Sequence, residues 1–385
     1  MIYATIPITP PLLRHYPLLD FRSAEQSRPE GSLSTFASRT WDMMRLIRHG
    51  GPAICNIAIT NSCNATCDFC NFARGKVANL RWLDIHKFDD ALAILYARGV
   101  RYLNIFGGEP LLHPRLVEMI SMAVARQMGP ALITNGWLLP QRIEQLAAAG
   151  LKNIYVSIDA GLCDRVREAN SRMPKLGITS IAQVAMSKLI NDYRSLVPLL
   201  KDLGFRAVTF SYPQRARLGS SSLAWSDSSR LMNFTDEEVI QAFDSVNALR
   251  ELFPVNNPRA SIEDMKRHLR KEPEKFVCYG GYKSFYMDWN FDMWRCDAWD
   301  KKLCSVWEFA RTPLVRDGCT ACIADCYRDS SVMLHFAVSL GDAIDDMRSM
   351  RVFAALKKLA SRQNATSMRA VVENADVLSH LAILG

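Results

Sequence analysis

Residues 60–72, TNSCNATCDFCNF, place Cys63, Cys67 and Cys70 on one short segment. A structural zinc ion takes four protein ligands, whereas an iron–sulfur cubane held by three cysteines keeps one iron open to an outside ligand. The segment directly follows the apolar run from Ala53 to Ile59, which has the length and composition of a buried strand. The pattern therefore indicates a metal-binding loop at the end of a strand.

A second motif, Gly107-Gly108-Glu109-Pro110, follows the next apolar run. Together with the three cysteines and the aromatic Phe69 before the last of them, it resembles the signature of the radical S-adenosylmethionine (SAM) superfamily. The resemblance implies that the amino and carboxylate groups of SAM chelate the open iron of a [4Fe-4S] cluster. It also implies that one electron from the cluster cleaves SAM to methionine and a 5′-deoxyadenosyl radical. A zinc loop is the alternative.

The composition is that of a globular protein with one large domain and a smaller one. The chain has 385 residues, of which 49% are hydrophobic and 9% aromatic. No run approaches the roughly 20 apolar residues that a membrane span needs, and the start of the chain shows no export signal. The number of cysteines, 11, is odd and most of them fall in two tight groups, which favours metal binding over disulfides and a reducing cytoplasm.

The net charge of +8 is spread along the chain without a long basic run. It permits an anionic substrate or a membrane surface nearby but argues for neither, and we expect no nucleic-acid partner.

Short apolar runs alternate with longer amphipathic runs from about residue 51 to 213, which is typical of repeated β-α units. The predicted strands are Ala53 to Ile59, Tyr102 to Phe106, Ala131 to Thr134, Asn153 to Ile158, Ile178 to Ala185 and Ala207 to Tyr212. The predicted helices are His86 to Arg98, Pro114 to Gln127, Pro140 to Ala149, Leu162 to Ser171 and Tyr193 to Leu203. Six strands predict an α/β fold with a partial (β/α)6 TIM-like barrel.

In such barrels the chemistry collects on loops at the carboxyl ends of the strands. The family resemblance implies a contact with the SAM amino group in the loop after the second strand. It implies contacts with the SAM carboxylate or ribose after the third and fourth strands. The candidate SAM-binding residues are Gly107, Gly108, Glu109, Pro110, Asn135, Ser157 and Asp159. A simple turn is the alternative for Asn135-Gly136.

A second group of cysteines lies towards the carboxyl terminus, beginning with Cys278 and Cys296 at the two ends of a predicted β-hairpin. Cys319, Cys322 and Cys326 follow. This arrangement resembles the twitch and SPASM domains and implies one auxiliary [4Fe-4S] cluster. Cys278, Cys296, Cys319 and Cys322 are the first choice of ligands, with Cys326 as a replacement or a bystander, and a zinc site is the alternative.

Asp297 directly follows Cys296, a position that resembles one where sulfatase-maturing relatives place a proton acceptor. A substrate radical that loses a proton while it passes on an electron needs such a base. The alternative is a surface aspartate that ends the hairpin.

The predicted organisation has an N-terminal extension (1–50), the radical SAM barrel (51–234), a helical linker with the auxiliary-cluster domain (235–328) and a helical C-terminal tail (329–385). The resemblance implies an enzyme that takes a hydrogen atom from a substrate carbon. We expect the oxidation of a small non-peptide metabolite, with an external electron donor such as flavodoxin or ferredoxin. Modification of a peptide is the second interpretation, a lipid substrate the third, and a non-catalytic zinc or iron–sulfur protein the fourth.

Overall fold

The computed structural model describes residues 33–72, 77–158, 163–213, 229–299 and 301–374, with side chains from Trp41 onward. The chain divides into two units, Met1–Arg45 and Leu46–Gly385. The first helix, α1 (Leu33–Arg48), begins in the first unit. Asp159, one of the predicted SAM contacts, lies outside the described residues.

The second unit is built on one open sheet of nine strands in the order β6-β5-β4-β3-β2-β1-β7-β8-β9. The strands are β1 (Ala53–Ala58), β2 (Val100–Phe106), β3 (Gly129–Thr134), β4 (Asn153–Ser157), β5 (Thr179–Ala185), β6 (Ala207–Ser211), β7 (Ser284–Met287), β8 (Asp292–Trp294) and β9 (Lys302–Ser305). Strands β1 to β7 pair in parallel, whereas β8 and β9 add antiparallel strands at one edge. This arrangement confirms the predicted α/β class and the unclosed barrel.

Helices cover one face of the sheet and form the C-terminal region. They are α2 (Ile85–Ala97), α3 (Leu116–Ala125), α4 (Leu139–Ala148), α5 (Cys163–Arg172), α6 (Val197–Asp202), α7 (Asp236–Leu249), α8 (Arg259–Leu269), α9 (Asp325–Arg348), α10 (Val352–Leu359) and α11 (Arg362–Glu373). Each of the six predicted barrel strands overlaps an observed strand. Of the helices that the structure describes, none is both long enough and apolar enough to cross a membrane.

The two faces of the sheet differ in chemistry because successive side chains of a strand point to opposite sides. The outer face carries aliphatic residues such as Ile57, Leu103 and Ile154, which are fully buried in the main core with the helices. The opposite face, called the inner face below, is rich in polar, uncharged side chains. Its strand residues are Ile54, Asn56, Ala58, Tyr102, Asn104, Phe106, Gly129, Ala131, Ile133, Asn153, Tyr155, Ser157, Thr179, Ile181, Gln183, Ala185, Ala207, Thr209, Ser211, Ser284 and Tyr286.

The predicted β-hairpin is present as β7 and β8, with Tyr286 opposite Trp294. The structure adds two features that the sequence did not predict. Strand β7 pairs in parallel with β1, in the register Ile54↔Ser284 and Asn56↔Tyr286. Strand β9 extends the hairpin, and its Cys304 is buried in the main core. The C-terminal hairpin therefore continues the barrel sheet.

At the opposite edge of the sheet, β6 pairs with Val255 through one parallel bridge at Val208 and, next to it, with the side chain of the buried Asn257. The Asn257 side chain accepts a hydrogen bond from Phe210 N (2.7 Å) and donates one to Phe210 O (2.9 Å). It also donates to Asp329 Oδ2 at 2.7 Å, and Asp329 lies on α9. The Asn257 side chain thus satisfies the N–H and C=O groups of Phe210 in the edge strand and connects this strand to helix α9.

We expect Asn257→Ala to lower the free energy of unfolding by about 2–3 kcal/mol, because it leaves the buried Phe210 N–H and C=O without their partner and removes one of the hydrogen bonds to the Asp329 carboxylate. Chemical denaturation followed by circular dichroism measures the change. Gln241→Ala is the matched control, since the Gln241 side chain is exposed and bonds only to Glu237 on the same helix. Equal stability of the two variants would contradict the role of Asn257.

Candidate active site

The three-cysteine loop leaves the carboxyl end of β1 from a fixed base. Thr60 pairs with Trp82 in an isolated antiparallel bridge, and its hydroxyl donates to Arg81 O at 2.7 Å. The Asn61 side chain accepts from Arg81 N (2.7 Å) and donates to Asn79 O (2.9 Å). These bonds clamp the two ends of the loop, so the cysteines between them are held beside the inner face.

All three cysteines of the loop are half-buried. Burial raises the pKa of the Cys63 thiol to about 11, and Glu109 and Cys70 lie close enough for their charges to add to the shift. The Cys63 Sγ accepts a hydrogen bond from Ala65 N (3.4 Å), and Cys70 N donates to Cys67 O (3.3 Å). The loop therefore folds back so that its first and last thiols are neighbours.

The two glycines after β2 pack directly against the backbone of the cysteine loop. Gly108 N donates to Thr60 O (2.8 Å), and Glu109 N donates to Ser62 O (2.7 Å). A Cβ atom on Gly107 would lie 2.2 Å from Thr60 O, and one on Gly108 would lie 2.1 Å from Ser62 O. The sequence indicated glycines for a close approach, and the structure shows that they approach the cysteine loop itself.

The Glu109 carboxylate joins the loops that follow β2 and β3. Its oxygens accept hydrogen bonds from Leu111 N (2.9 Å), Thr134 Oγ1 (2.7 Å) and Asn135 N (2.8 Å). Burial raises the pKa of Glu109 to about 7 in spite of these bonds. Both carboxylate oxygens are thus engaged by the protein, and Glu109 positions the neighbouring loops.

Asn135 lies in a turn, as its alternative interpretation required, but it also contacts the cysteine loop. Its Oδ1 accepts from Trp137 N (3.0 Å) and its Nδ2 donates to Asn64 Oδ1 (2.7 Å). Pro110 begins a one-turn 3-10 helix, and Ser157 ends β4 on the inner face. The described SAM-binding candidates therefore lie on three successive strand ends.

The second group contains all five predicted cysteines. They are Cys278, Cys296, Cys319, Cys322 and Cys326. Cys278 N donates to Cys319 O at 2.9 Å, and four of the five pack around Ala324 and Tyr327. Burial raises the pKa of the Cys278, Cys296, Cys322 and Cys326 thiols above the ordinary value. Cys326 lies inside the group rather than apart from it.

The donor types of both groups fit an iron–sulfur cluster, because soft thiolates select iron–sulfur centres or zinc. In a cubane the protein thiolates bind different irons around the cluster. Across the described ranges, no three His, Cys, Asp or Glu side chains converge tightly enough to hold a single metal ion. Within the same ranges no disulfide joins two cysteines.

Asp297 is buried, with 7% of its surface exposed, and is not the surface aspartate of the alternative interpretation. Burial raises the pKa of this carboxyl to about 7, and its Oδ1 has no hydrogen-bond partner among the described residues. Its backbone N donates to Tyr327 Oη at 3.0 Å. The Asn56 side chain in turn bonds to Tyr327 and accepts from Asn104 Nδ2 (2.7 Å). A polar chain thus connects the inner face to the second cysteine group.

The two cysteine groups lie at opposite ends of the β1–β7 strand pair. The loop with Cys63 follows the carboxyl end of β1, whereas Cys278 precedes β7 and is linked to its start by the Gly280↔Ser284 bridge. At about 3.3 Å per residue, β1 alone spans roughly 20 Å. The inner face lies between the groups.

Sequence reasoning missed two residues of this region, Tyr286 and Tyr327. Both are fully buried, and the Tyr286 hydroxyl has no hydrogen-bond partner in the part of the chain that the structure describes. Tyr286 lies between apolar neighbours in β7, so only the parallel pairing with β1 shows that it points to the inner face.

The radical SAM superfamily profile matches residues 57–211. Among characterised relatives, the GTP 3′,8-cyclase of Chlorobaculum tepidum is 34% identical over 105 residues, 27% of this chain and 32% of the relative. The Alkaliphilus oremlandii GTP 3′,8-cyclase is 36% identical over 116 residues, 29% of this chain and 36% of the relative. The chain thus matches about a third of the length of these relatives.

The fold is similar to that of Streptococcus suis SuiB bound to S-adenosylmethionine, with a TM-score of 0.50 at 14% identity. The likeness covers 73% of this chain and 71% of SuiB. At this identity it shows a shared fold.

The contact of Gly108 with the cysteine loop leads to a prediction. We expect Gly108→Ala to displace the Ser62 backbone and to lower the iron bound after anaerobic reconstitution by about half, because the second cysteine group is unaffected. Iron and sulfide assays measure this. Gly129→Ala is the control, since the nearest atom to its Cβ would be in the Tyr102 side chain at 3.3 Å and the nearest backbone atom would be Arg101 O at 3.8 Å. Full iron content in Gly108→Ala would contradict the role of this glycine.

Proposed function

Because the chain carries a radical SAM domain at residues 57–211, we propose that it uses a 5′-deoxyadenosyl radical to oxidise a neutral, non-peptide metabolite. The radical SAM family uses a [4Fe-4S] cluster and SAM. Here Cys63, Cys67 and Cys70 hold that cluster. The strand-end residues that bind or position SAM are Gly107, Gly108, Glu109, Pro110, Asn135, Ser157 and, beyond the described residues, Asp159.

The auxiliary [4Fe-4S] cluster is held by Cys278, Cys296, Cys319 and Cys322, with Cys326 as the fifth thiol of the group. When bound, the first cluster and SAM would supply the radical that removes a hydrogen atom from a substrate carbon. The auxiliary cluster would supply the acceptor for the electron that remains on the substrate. The burial of four of these thiols around Ala324 and Tyr327 and the hydrogen bond from Cys278 N to Cys319 O support this assignment.

Asp297 is the proposed catalytic base, which accepts the proton that leaves the substrate as the electron departs. Its carboxylate is buried and Oδ1 has no partner among the described residues, so it is available to a substrate group. The hydrogen bond from its backbone N to Tyr327 fixes its position.

The observation that carries the proposal is the placement of two thiol groups at the two ends of a polar, uncharged inner face. None of the inner-face positions of strands β1 to β7 is Lys or Arg. A nucleoside triphosphate needs cationic partners, so these strands favour a neutral metabolite over GTP, the compound in the name of the matched cyclases.

Anaerobic reconstitution with iron and sulfide tests the proposal. We expect about eight irons per chain and 5′-deoxyadenosine from SAM in the presence of dithionite. Flavodoxin or ferredoxin is the expected physiological electron donor. A reconstituted protein that holds stoichiometric zinc and does not cleave SAM would contradict the proposed enzyme activity. Deuterium transfer into 5′-deoxyadenosine from deuterated polyols, and not from deuterated peptides, distinguishes the metabolite from the peptide hypothesis.

The two cysteine groups should respond differently to substitution. We expect Cys67→Ala to abolish 5′-deoxyadenosine formation, because the SAM-binding cluster loses a ligand. Cys319→Ala should keep SAM cleavage without substrate within a fewfold of the wild type. Cys163→Ala, at the start of α5, is the control and should keep both the iron and the cleavage. Equal loss from Cys67→Ala and Cys319→Ala would argue against separate roles.

A further inference from the structure

Tyr286 lies at the middle of the inner face, between the two cysteine groups. Its ring packs with Ala58 and Phe72, in a cluster that also contains Cys70 of the first group. Phe106, from β2 on the far side of β1, lies with its ring centroid 6.1 Å from that of Tyr286. The ring is therefore fixed on the side of the SAM-binding loop.

The same tyrosine lies close to two carboxylates. Burial raises the pKa of Tyr286 well above its ordinary value, and the nearby carboxylates of Asp288 and Asp297 add to the shift. Asp297 directly follows Cys296, and Tyr286 pairs with Trp294, three residues before Asp297, in the β7–β8 hairpin.

Both side chains keep a polar atom without a partner. Tyr286 is 1% exposed and Asp297 is 7% exposed, yet Tyr286 Oη and Asp297 Oδ1 bond to no described residue. Buried polar groups in native proteins are nearly always hydrogen-bonded, and an unsatisfied one costs about 1–3 kcal/mol. Two such atoms, carried by the same hairpin beside a proposed active site, point to a ligand that satisfies both.

We propose that Tyr286 and Asp297 form a subsite for a neutral hydroxyl group of the substrate, an inference that rests on the proposed function. A phenol donates a hydrogen bond, whereas a carboxylate only accepts one. A hydroxyl group is neutral and can both accept from the first and donate to the second. An ammonium group has no acceptor for Tyr286, and a phosphate is repelled by Asp288 and Asp297. Tyr286 is thus a specificity-determining residue for alcohols.

Tyr286→Phe removes the hydroxyl and keeps the ring. Because the hydroxyl has no partner among the described residues, the variant should unfold at the same temperature as the wild type or a higher one. A lower melting temperature would show a structural role for the hydroxyl and would overturn the proposal.

Binding of neutral polyols to the reconstituted enzyme with SAM tests the subsite directly. The probes are myo-inositol, D-glucose and ribitol, measured by anaerobic calorimetry. We expect the wild type to bind at least one of them and Tyr286→Phe to bind it about five- to tenfold more weakly. Tyr282→Phe is the matched control, since Tyr282 lies beneath Arg316, 5.0 Å from its guanidinium carbon, and outside the inner-face positions.

Iron content and dithionite-driven 5′-deoxyadenosine formation are measured on the same preparations, so that polyol affinities are compared at equal iron content. Equal polyol binding by the wild type and Tyr286→Phe, or no binding of any probe to the wild type, would overturn the subsite while SAM cleavage still supports the enzyme. Absence of iron and of SAM cleavage in the wild type would instead refute the proposed function.

Discussion

The parallel pairing of β1 with β7 is the interaction on which the rest of the structure depends. Ile54 N donates to Lys283 O at 2.8 Å, and the Lys283 ammonium donates to Gly51 O at 2.8 Å. Helix α9 packs closely against Gly50, just before β1: a Cβ atom added to Gly341 of α9 would lie only 2.8 Å from Gly50 N. Without this pairing the hairpin with Cys296 would have no fixed position relative to the loop with Cys63, and the two thiol groups would not share one inner face.

Much of the barrel could be predicted because its signals are local. The β-α alternation located all six barrel strands, and the cysteine spacing located the first thiol group at the end of β1. The pairing of β7 with β1 could not be predicted, since it joins segments more than 200 residues apart and nothing in either segment encodes the register. For the same reason Asn257 could not be recognised as a partner of the edge strand β6.

The inner face retains buried polar atoms that a purely structural core would lack. Asn153, Gln183, Tyr286 and Asp297 each have at least one atom without a partner among the described residues. Natural sequences depart from full polar satisfaction mainly at functional sites. The aliphatic outer face, which packs against the helices, shows that the same strands can build a dry core. The polar inner face is therefore the part of the sheet suited to a polar ligand.

The central claim is that the chain holds two [4Fe-4S] clusters of which one has an open iron. Electron paramagnetic resonance of the dithionite-reduced, reconstituted protein tests it most directly, with and without SAM. The account predicts two cluster signals, with SAM shifting the g-values of one and leaving the other unchanged. A single cluster signal, or two signals that are both insensitive to SAM, would contradict it.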